Sequence, residues 1–273
     1  MTMTEYPILV VGIGPGHPDY VLPAAQRAIA KARVLVGGKR VLTDFAPLSG
    51  AELLIPVTGD LVRVLTSIRE ARCESSVTVL VSGDPGYYSL LDALRRTFPP
   101  ASIRVIPGIS SLQFAFARLA LPWHDAKLLS FHGRQPEESA LAYIPGTVLG
   151  MLTDYKQTSR EIAAELLAHG WPETARMTIC ARLSYEDETI ETVTLRKAAE
   201  GKRCGGVVLI VQDVKACQYK TENRDNAECT GWKRESAEDT AVDVNGLIAG
   251  MSHFARAAES RDERSGEHAA RNR

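Results

Sequence analysis

The chemistry this sequence offers is concentrated in three glycine-bearing segments. Gly12-Ile13-Gly14-Pro15-Gly16-His17 follows an apolar run that begins at Ile8. Ser82-Gly83-Asp84-Pro85-Gly86 follows the unbroken apolar run Val77 to Val81. Pro107-Gly108-Ile109-Ser110-Ser111 follows Ile103 to Ile106. Glycines let a flat ligand approach the backbone. Open α/β sheets bind ligands in loops at the carboxyl ends of their strands. Three such loops at one sheet edge describe a cleft lined by peptide groups, with little side-chain charge.

The first loop is not a dinucleotide fingerprint. That motif needs a third glycine where His17 stands, and an acidic residue after the second strand, which instead ends Val36-Gly37-Gly38. A phosphate-binding P-loop needs Gly-Lys-Ser/Thr, which is absent. The remaining reading is a tight strand-to-helix turn stiffened by Pro15. Asp84 has two readings: a cleft group at a strand terminus, or a cap for a helix starting near Tyr87. Ser110 and Ser111 are likewise either ligand contacts or N-caps.

The elements that must position these loops follow from periodicity. Strands are expected at Ile8 to Ile13, Val34 to Val36, Val77 to Val81 and Ile103 to Ile106. Helices are expected at Pro23 to Ala32, Leu61 to Ala71 and Tyr88 to Phe98. Buried strands alternating with helices give a mainly parallel sheet. Beyond Pro122, strands are expected at Lys127 to Phe131, Thr147 to Leu152, Met177 to Ala181, Thr189 to Val193 and Val207 to Val211, with a helix at Ser159 to His169. Strands here follow one another closely, which favours a mixed sheet. The expected organisation is an α/β chain of two domains, 1–122 and 123–214, with a cleft between them. Residues 215–273 are rich in Glu, Arg, Asn, Ser and Ala, and read as a disordered tail with one candidate amphipathic helix at Val242 to Ala258.

The chain has 273 residues, 45% of them hydrophobic and 24% charged, with a formal net charge of -1. That balance argues against a nucleic-acid or anionic-membrane partner. No stretch is long and apolar enough to span a bilayer, and Met1 to Pro7 lacks the regions of a secretory signal. The five cysteines are scattered without a C-x-x-C pair, which predicts reduced thiols in a cytoplasmic protein and no metal site.

In this order, the loops resemble the tetrapyrrole (corrin/porphyrin) methylases, the class III methyltransferases, over roughly Tyr6 to Val214. The carrying segments are Val11 to Tyr20, Val34 to Arg40, Ser82 to Ser89, Pro107 to Ser111 and Ser130-Phe131-His132-Gly133-Arg134. The Val-Gly-Gly and Phe-His-Gly-Arg segments are similar to the subgroup that acts at the carbon-5 meso position of cobalt-precorrin-7 or precorrin-6Y. The resemblance implies a homodimer that binds S-adenosylmethionine and methylates a corrin precursor in cobalamin biosynthesis. It places the donor's methionine and ribose parts at Ser82, Gly83, Asp84, Tyr87, Ser110 and Ser111. It places the adenine at Leu152, Leu183, Ser184, Gly206 and Val207. The tetrapyrrole falls to Gly14, Pro15, Gly16 and His17. No second methyltransferase domain follows, so decarboxylating methylation at carbon 15 would fall to a separate protein.

The implied reaction needs alignment more than acid–base power, because a sulfonium already activates the methyl group. Candidate proton relays are His132, Asp84 and His17. Arg134, Lys39 and Arg40 suit the substrate's peripheral carboxylates, with solvated surface charge the alternative reading for Lys39 and Arg40. Tyr155 and Lys156 read as surface residues. One departure from the family is Leu22, where a hydroxyl residue would cap the helix at Pro23; Asp19 is the expected substitute. His17 is a second departure, at a position that is often acidic or small. The alternatives are a same-fold methylase acting on another position or substrate, and a catalytically silent ligand-binding regulatory domain.

Overall fold

The computed structural model describes residues 5–213. The expected tail and its helix at Val242 to Ala258 lie outside them. In chain order the first half holds β1 (Ile8–Gly12), α1 (Pro23–Ala30), β2 (Val34–Gly37), α2 (Lys39–Phe45), β3 (Leu53–Pro56), α3 (Leu61–Ala71), β4 (Val77–Val81), α4 (Leu91–Thr97), β5 (Ile103–Ile106) and α5 (Ser111–Arg118). The second half holds β6 (Lys127–Ser130), α6 (Glu138–Leu141), β7 (Val148–Leu152), α7 (Ser159–Ala168), β8 (Arg176–Ala181), β9 (Thr189–Thr194), α8 (Leu195–Glu200) and β10 (Val208–Gln212).

The first sheet runs β3-β2-β4-β1-β5 and is parallel throughout. Its central strands β2 and β4 are buried at every residue, as parallel strands covered on both faces must be. The order jumps from β4 to β1, so the carboxyl ends of β1, β4 and β5 meet at a topological switch point. α3 forms because Val64 and Ile68 bury one stripe and Asp60 caps it, accepting from the Arg63 N–H at 3.0 Å. Such a cap contributes about 1 kcal/mol.

The second sheet runs β6-β7-β10-β8-β9. β6 pairs parallel with β7, and the other pairs are antiparallel. It is mixed, as the close strand spacing predicts. β9 is a short, largely exposed edge strand of three threonines, one glutamate and two apolar residues; shortness and an exposed charge discourage edge pairing. α5 joins the two halves. Its buried Leu112, Phe114, Ala115 and Phe116 share one apolar cluster with Leu183, Val208 and Ile210. Truncating a fully buried phenylalanine such as Phe116 costs about 3–5 kcal/mol.

Two local expectations need correction. The helix expected from Tyr88 begins only at Leu91, because Tyr88 sits in the left-handed region at φ 49°. A helical stripe alone does not reveal that break. Asp19 does not cap α1. Leu22 occupies the cap position without a side-chain bond, while the Asp19 N–H donates to His17 Nδ1 at 3.3 Å.

Candidate active site

The three glycine loops meet at the carboxyl edge of the first sheet. Gly83 N–H donates to the Gly14 carbonyl at 2.8 Å, and Gly14 N–H donates to the Gly83 carbonyl at 3.3 Å. This isolated antiparallel bridge joins loops that follow different strands. The third loop is equally close. A Cβ on Gly12 would lie 2.7 Å from the Gly108 nitrogen, and one on Gly108 would lie 2.9 Å from the Gly12 backbone. Backbone on both sides leaves no room for a side chain, so this interlocking requires glycine.

Asp84 secures the arrangement. One carboxylate oxygen accepts from Gly86 N–H at 2.7 Å, and the other accepts from Gly108 N–H at 3.0 Å. Asp84 is therefore neither a helix cap nor a side chain with both oxygens open to the cleft. It ties the β4 loop to the β5 loop. Ser82 is exposed beside it. Ser110 caps α5 through a complete capping box with Gln113, which engages the Ser110 hydroxyl, and Ser111 begins the helix.

Of the expected adenine residues, Leu152 and Leu183 lie against the same helix, whereas Val207 belongs to the apolar cluster on the other face of the second sheet. Tyr87, Ile109 and Leu152 are partly buried against the cluster that holds α5 and Leu183. Leu152 pairs in register with Val208, and Gly206 N–H donates to the Asp154 carbonyl at 3.3 Å. Ser184 is buried and accepts from the backbone N–H of His17 at 3.0 Å, so the second half is anchored to the first glycine loop. The Tyr87 hydroxyl donates to the Leu129 carbonyl at 3.1 Å. Burial raises its pKa well above the usual tyrosine value; neighbouring Tyr88 adds to this, and Arg134 opposes it.

Phe-His-Gly-Arg ends β6 at a distinct corner. His132 is exposed, and its backbone N–H donates to Ser130 Oγ at 3.3 Å. Arg134 stacks over Tyr88, 4.1 Å from the ring centroid, reaching back to the β4 loop. Arg134, Gly133 and Phe131 line a cavity of about 450 Å³ with Asp154 and Tyr155. Sequence reasoning missed Asp154. Its carboxylate accepts from Gly133 N–H at 3.1 Å, and from Lys156 and Gln157 N–H at 2.7 Å each. Hydrogen bonds from Gln157, Gly133 and Lys156 lower its pKa below the ordinary aspartate value. The signal that was available is positional: Asp154 follows the buried run Val148–Leu152 as Asp84 follows Val77–Val81. Tyr155 is 88% exposed, and Lys156 is exposed too, as expected.

The residues expected to face the substrate are only partly open. Gly14 is buried, while Pro15, Gly16 and His17 are half-buried. The face of Gly16 where a side chain would project is covered by Tyr185, which no sequence motif marked. Lys39 and Arg40 open α2 on the surface.

The loops around Gly83 fit the chemistry of S-adenosylmethionine. Gly83 has a φ of 70°, and a Cβ there would meet Ser110 Cα at 3.5 Å, an ordinary contact, so the β4 loop lies close against the start of α5. Half-buried Tyr87, Ile109 and Leu152 supply apolar surface for a flat ring. Peptide groups of the loops supply polar partners for an amino-acid tail.

Known proteins share this fold. The family described as Tetrapyrrole (Corrin/Porphyrin) Methylases matches residues 7–199. The cobalt-precorrin-7 C(5)-methyltransferase of Salmonella typhimurium is 34% identical over 203 residues, covering 74% of this chain and 98% of that protein. The precorrin-6Y C(5,15)-methyltransferase [decarboxylating] of Sinorhizobium sp is 32% identical over 188 residues, covering 68% of this chain and 44% of that longer protein. Among solved structures, the uroporphyrin-III C-methyl transferase of Thermus thermophilus complexed with S-adenyl homocysteine superposes with a TM-score of 0.62 at 25% identity, covering 77% of this chain and 98% of that one. The chain belongs to the tetrapyrrole (corrin/porphyrin) methylase family.

Proposed function

We propose that this protein transfers a methyl group from S-adenosylmethionine to the carbon-5 meso position of a corrin precursor, cobalt-precorrin-7 or precorrin-6Y, in cobalamin biosynthesis. The carrying observation is the 34% identity to a cobalt-precorrin-7 C(5)-methyltransferase along 98% of that protein's length. The interlocked glycine loops are the feature of the site on which the reading relies.

When bound, the donor supplies a methyl group already activated by its sulfonium. The chain's own residues hold and orient. Ser82, Gly83, Asp84, Tyr87, Ser110 and Ser111 bind the methionine and ribose side. Leu152, Leu183, Ser184, Gly206 and Val207 enclose the adenine. Gly14, Pro15, Gly16, His17 and Arg134 face the macrocycle. Orientation of this kind is worth effective molarities of ~10⁵ M or more. Asp84 also fixes the loops: each of its oxygens accepts one backbone N–H and keeps a lone pair for the donor. His132, exposed at the end of β6, is the proposed proton relay.

Four further parts of the reading rest on the family resemblance and composition: a homodimer, a cytoplasmic location, a separate partner for carbon 15, and no metal of the protein's own. The division into domains 1–122 and 123–214 belongs to the same proposal: each sheet has an apolar cluster of its own, while the cluster around α5 spans both halves. The test is incubation with S-adenosylmethionine and cobalt-precorrin-7, or its metal-free counterpart, followed by mass spectrometry. One added methyl group on either substrate supports the reading. Retention of the donor without any methylated product rejects it in favour of a silent binding domain.

A further inference from the structure

Tyr185 lies in the loop between β8 and β9, yet it packs against Gly16 of the first glycine loop. Arg40, from α2, donates to its hydroxyl. The Arg40 guanidinium carbon stands 5.1 Å from the ring centroid, and that of Arg182 stands 4.5 Å away. One phenol is thus flanked by two guanidiniums at the mouth of the loop expected to face the macrocycle.

The loop is held in an unusual shape. Arg182 and Ser184 adopt φ of 54° and 72°, a region that costs a non-glycine residue about 1–2 kcal/mol. Several bonds offset that cost. Ser184 N–H donates to Glu188 at 2.7 Å, and Arg118 of α5 donates to the other Glu188 oxygen at 2.7 Å. Ser184 Oγ accepts from His17 N–H at 3.0 Å. Arg182 donates to both oxygens of Asp187, at 3.0 and 2.9 Å. A strained segment fixed from several sides presents its side chains in a set geometry.

Both guanidiniums keep donors toward solvent. The Arg40 side chain is 64% exposed, and its contact to Asp44 is long at 3.8 Å. The Arg182 side chain is 51% exposed. Exposed ion pairs of this type hold their partners weakly, so an arriving carboxylate can compete with Asp44 and Asp187. Guanidinium donors match carboxylates in planar, paired geometry.

We infer that Tyr185, Arg40 and Arg182 form a specificity platform that seats a carboxylate-bearing edge of the tetrapyrrole over Gly16. The macrocycle meets the Tyr185 phenol on this side of the loop, and the two arginines grip its peripheral acid groups. This assignment rests on the proposed methyltransferase reading and names the contacts that choose its substrate.

The test measures binding of uroporphyrin, a tetrapyrrole rich in carboxylates, and of its methyl ester, to the full chain and to Arg40→Gln, Arg182→Gln and Tyr185→Phe. Each arginine substitution should weaken binding of the acid about tenfold, the loss expected for a charge-assisted hydrogen bond. Ester binding and S-adenosylmethionine affinity should stay at the unsubstituted values, and so should the melting temperature of Arg40→Gln. With cobalt-precorrin-7, KM should rise while kcat is kept. Arg40→Gln lies on an exposed helix face, so it serves if Arg182→Gln fails to fold. Unchanged affinity for the acid in Arg40→Gln overturns the platform, as does equal binding of acid and ester by the unsubstituted chain. Failure of the unsubstituted chain to methylate cobalt-precorrin-7 while these binding differences persist would instead reject the proposed reaction.

Discussion

Asp84 reaches from the loop after β4 to the backbone N–H of Gly108 after β5, at 3.0 Å, while its second oxygen holds Gly86 N–H at 2.7 Å. One carboxylate therefore sets the spacing of two loops proposed to share a single ligand. Asp84→Ala should cost about 1–3 kcal/mol, the loss expected for hydrogen bonds to a charged group. S-adenosylmethionine affinity, read by calorimetry, should fall about tenfold or more. Unchanged affinity would mean that the spacing does not depend on this clamp.

Gly108 tests the interlock itself. An alanine there would push its methyl group into the Gly83 carbonyl and the Gly12 backbone, neither of which can rotate away. Gly108→Ala should destabilise the protein by about 3 kcal/mol, visible as a lower urea midpoint. A conservative replacement at exposed Gly59, which has nothing within 4 Å of its added Cβ, should change little.

Tyr87→Phe removes the hydrogen bond to the Leu129 carbonyl and keeps the ring against the α5 cluster. Stability should fall by about 1 kcal/mol. Burial keeps the Tyr87 hydroxyl protonated beyond its ordinary range, so the unsubstituted enzyme should show no tyrosinate signal from Tyr87 in a spectroscopic titration through pH 10 or so. A tyrosinate signal that disappears in Tyr87→Phe would contradict the burial.

Asp154 predicts an acid-side dependence. Its folded pKa is depressed by the N–H groups of Gln157, Gly133 and Lys156. Its stabilisation is therefore complete above the ordinary aspartate pKa, about 3.9. It is lost as pH falls through the lower folded value. The stability difference between the unsubstituted chain and Asp154→Asn should be constant from neutral pH down to about 5 and shrink below 4. A difference that grows on acidification would reverse the sign and refute the assignment.

Much of the frame is legible in the sequence. Leu61–Ala71, Val77–Val81 and Ile103–Ile106 stand at the bounds that periodicity predicts, because each has one dominant pattern and clear breakers. β3 is not legible: Leu53–Pro56 is a four-residue edge strand with three exposed residues, and its apolar run of Leu53, Leu54 and Ile55 is too short and too close to Pro56 to mark a strand. α2 also escapes, since its cap Gly38 offers no side-chain bond. Asp84 was visible as a residue at a strand end, but its hydrogen bond to Gly108 N–H was not. That bond depends on how β1 brings β4 and β5 together. Tyr185 and Ser184 were harder still. Their partners Gly16 and His17 lie far away in sequence, and nothing local marks the contact.

The most direct measurement uses S-adenosylmethionine carrying a carbon-13 methyl group, with cobalt-precorrin-7 or precorrin-6Y as acceptor, and locates the label by NMR. The label should appear on the carbon-5 meso position, with no loss of carboxyl carbon from the product. A label at any other ring position, or an unlabelled macrocycle recovered beside bound donor, would contradict the account.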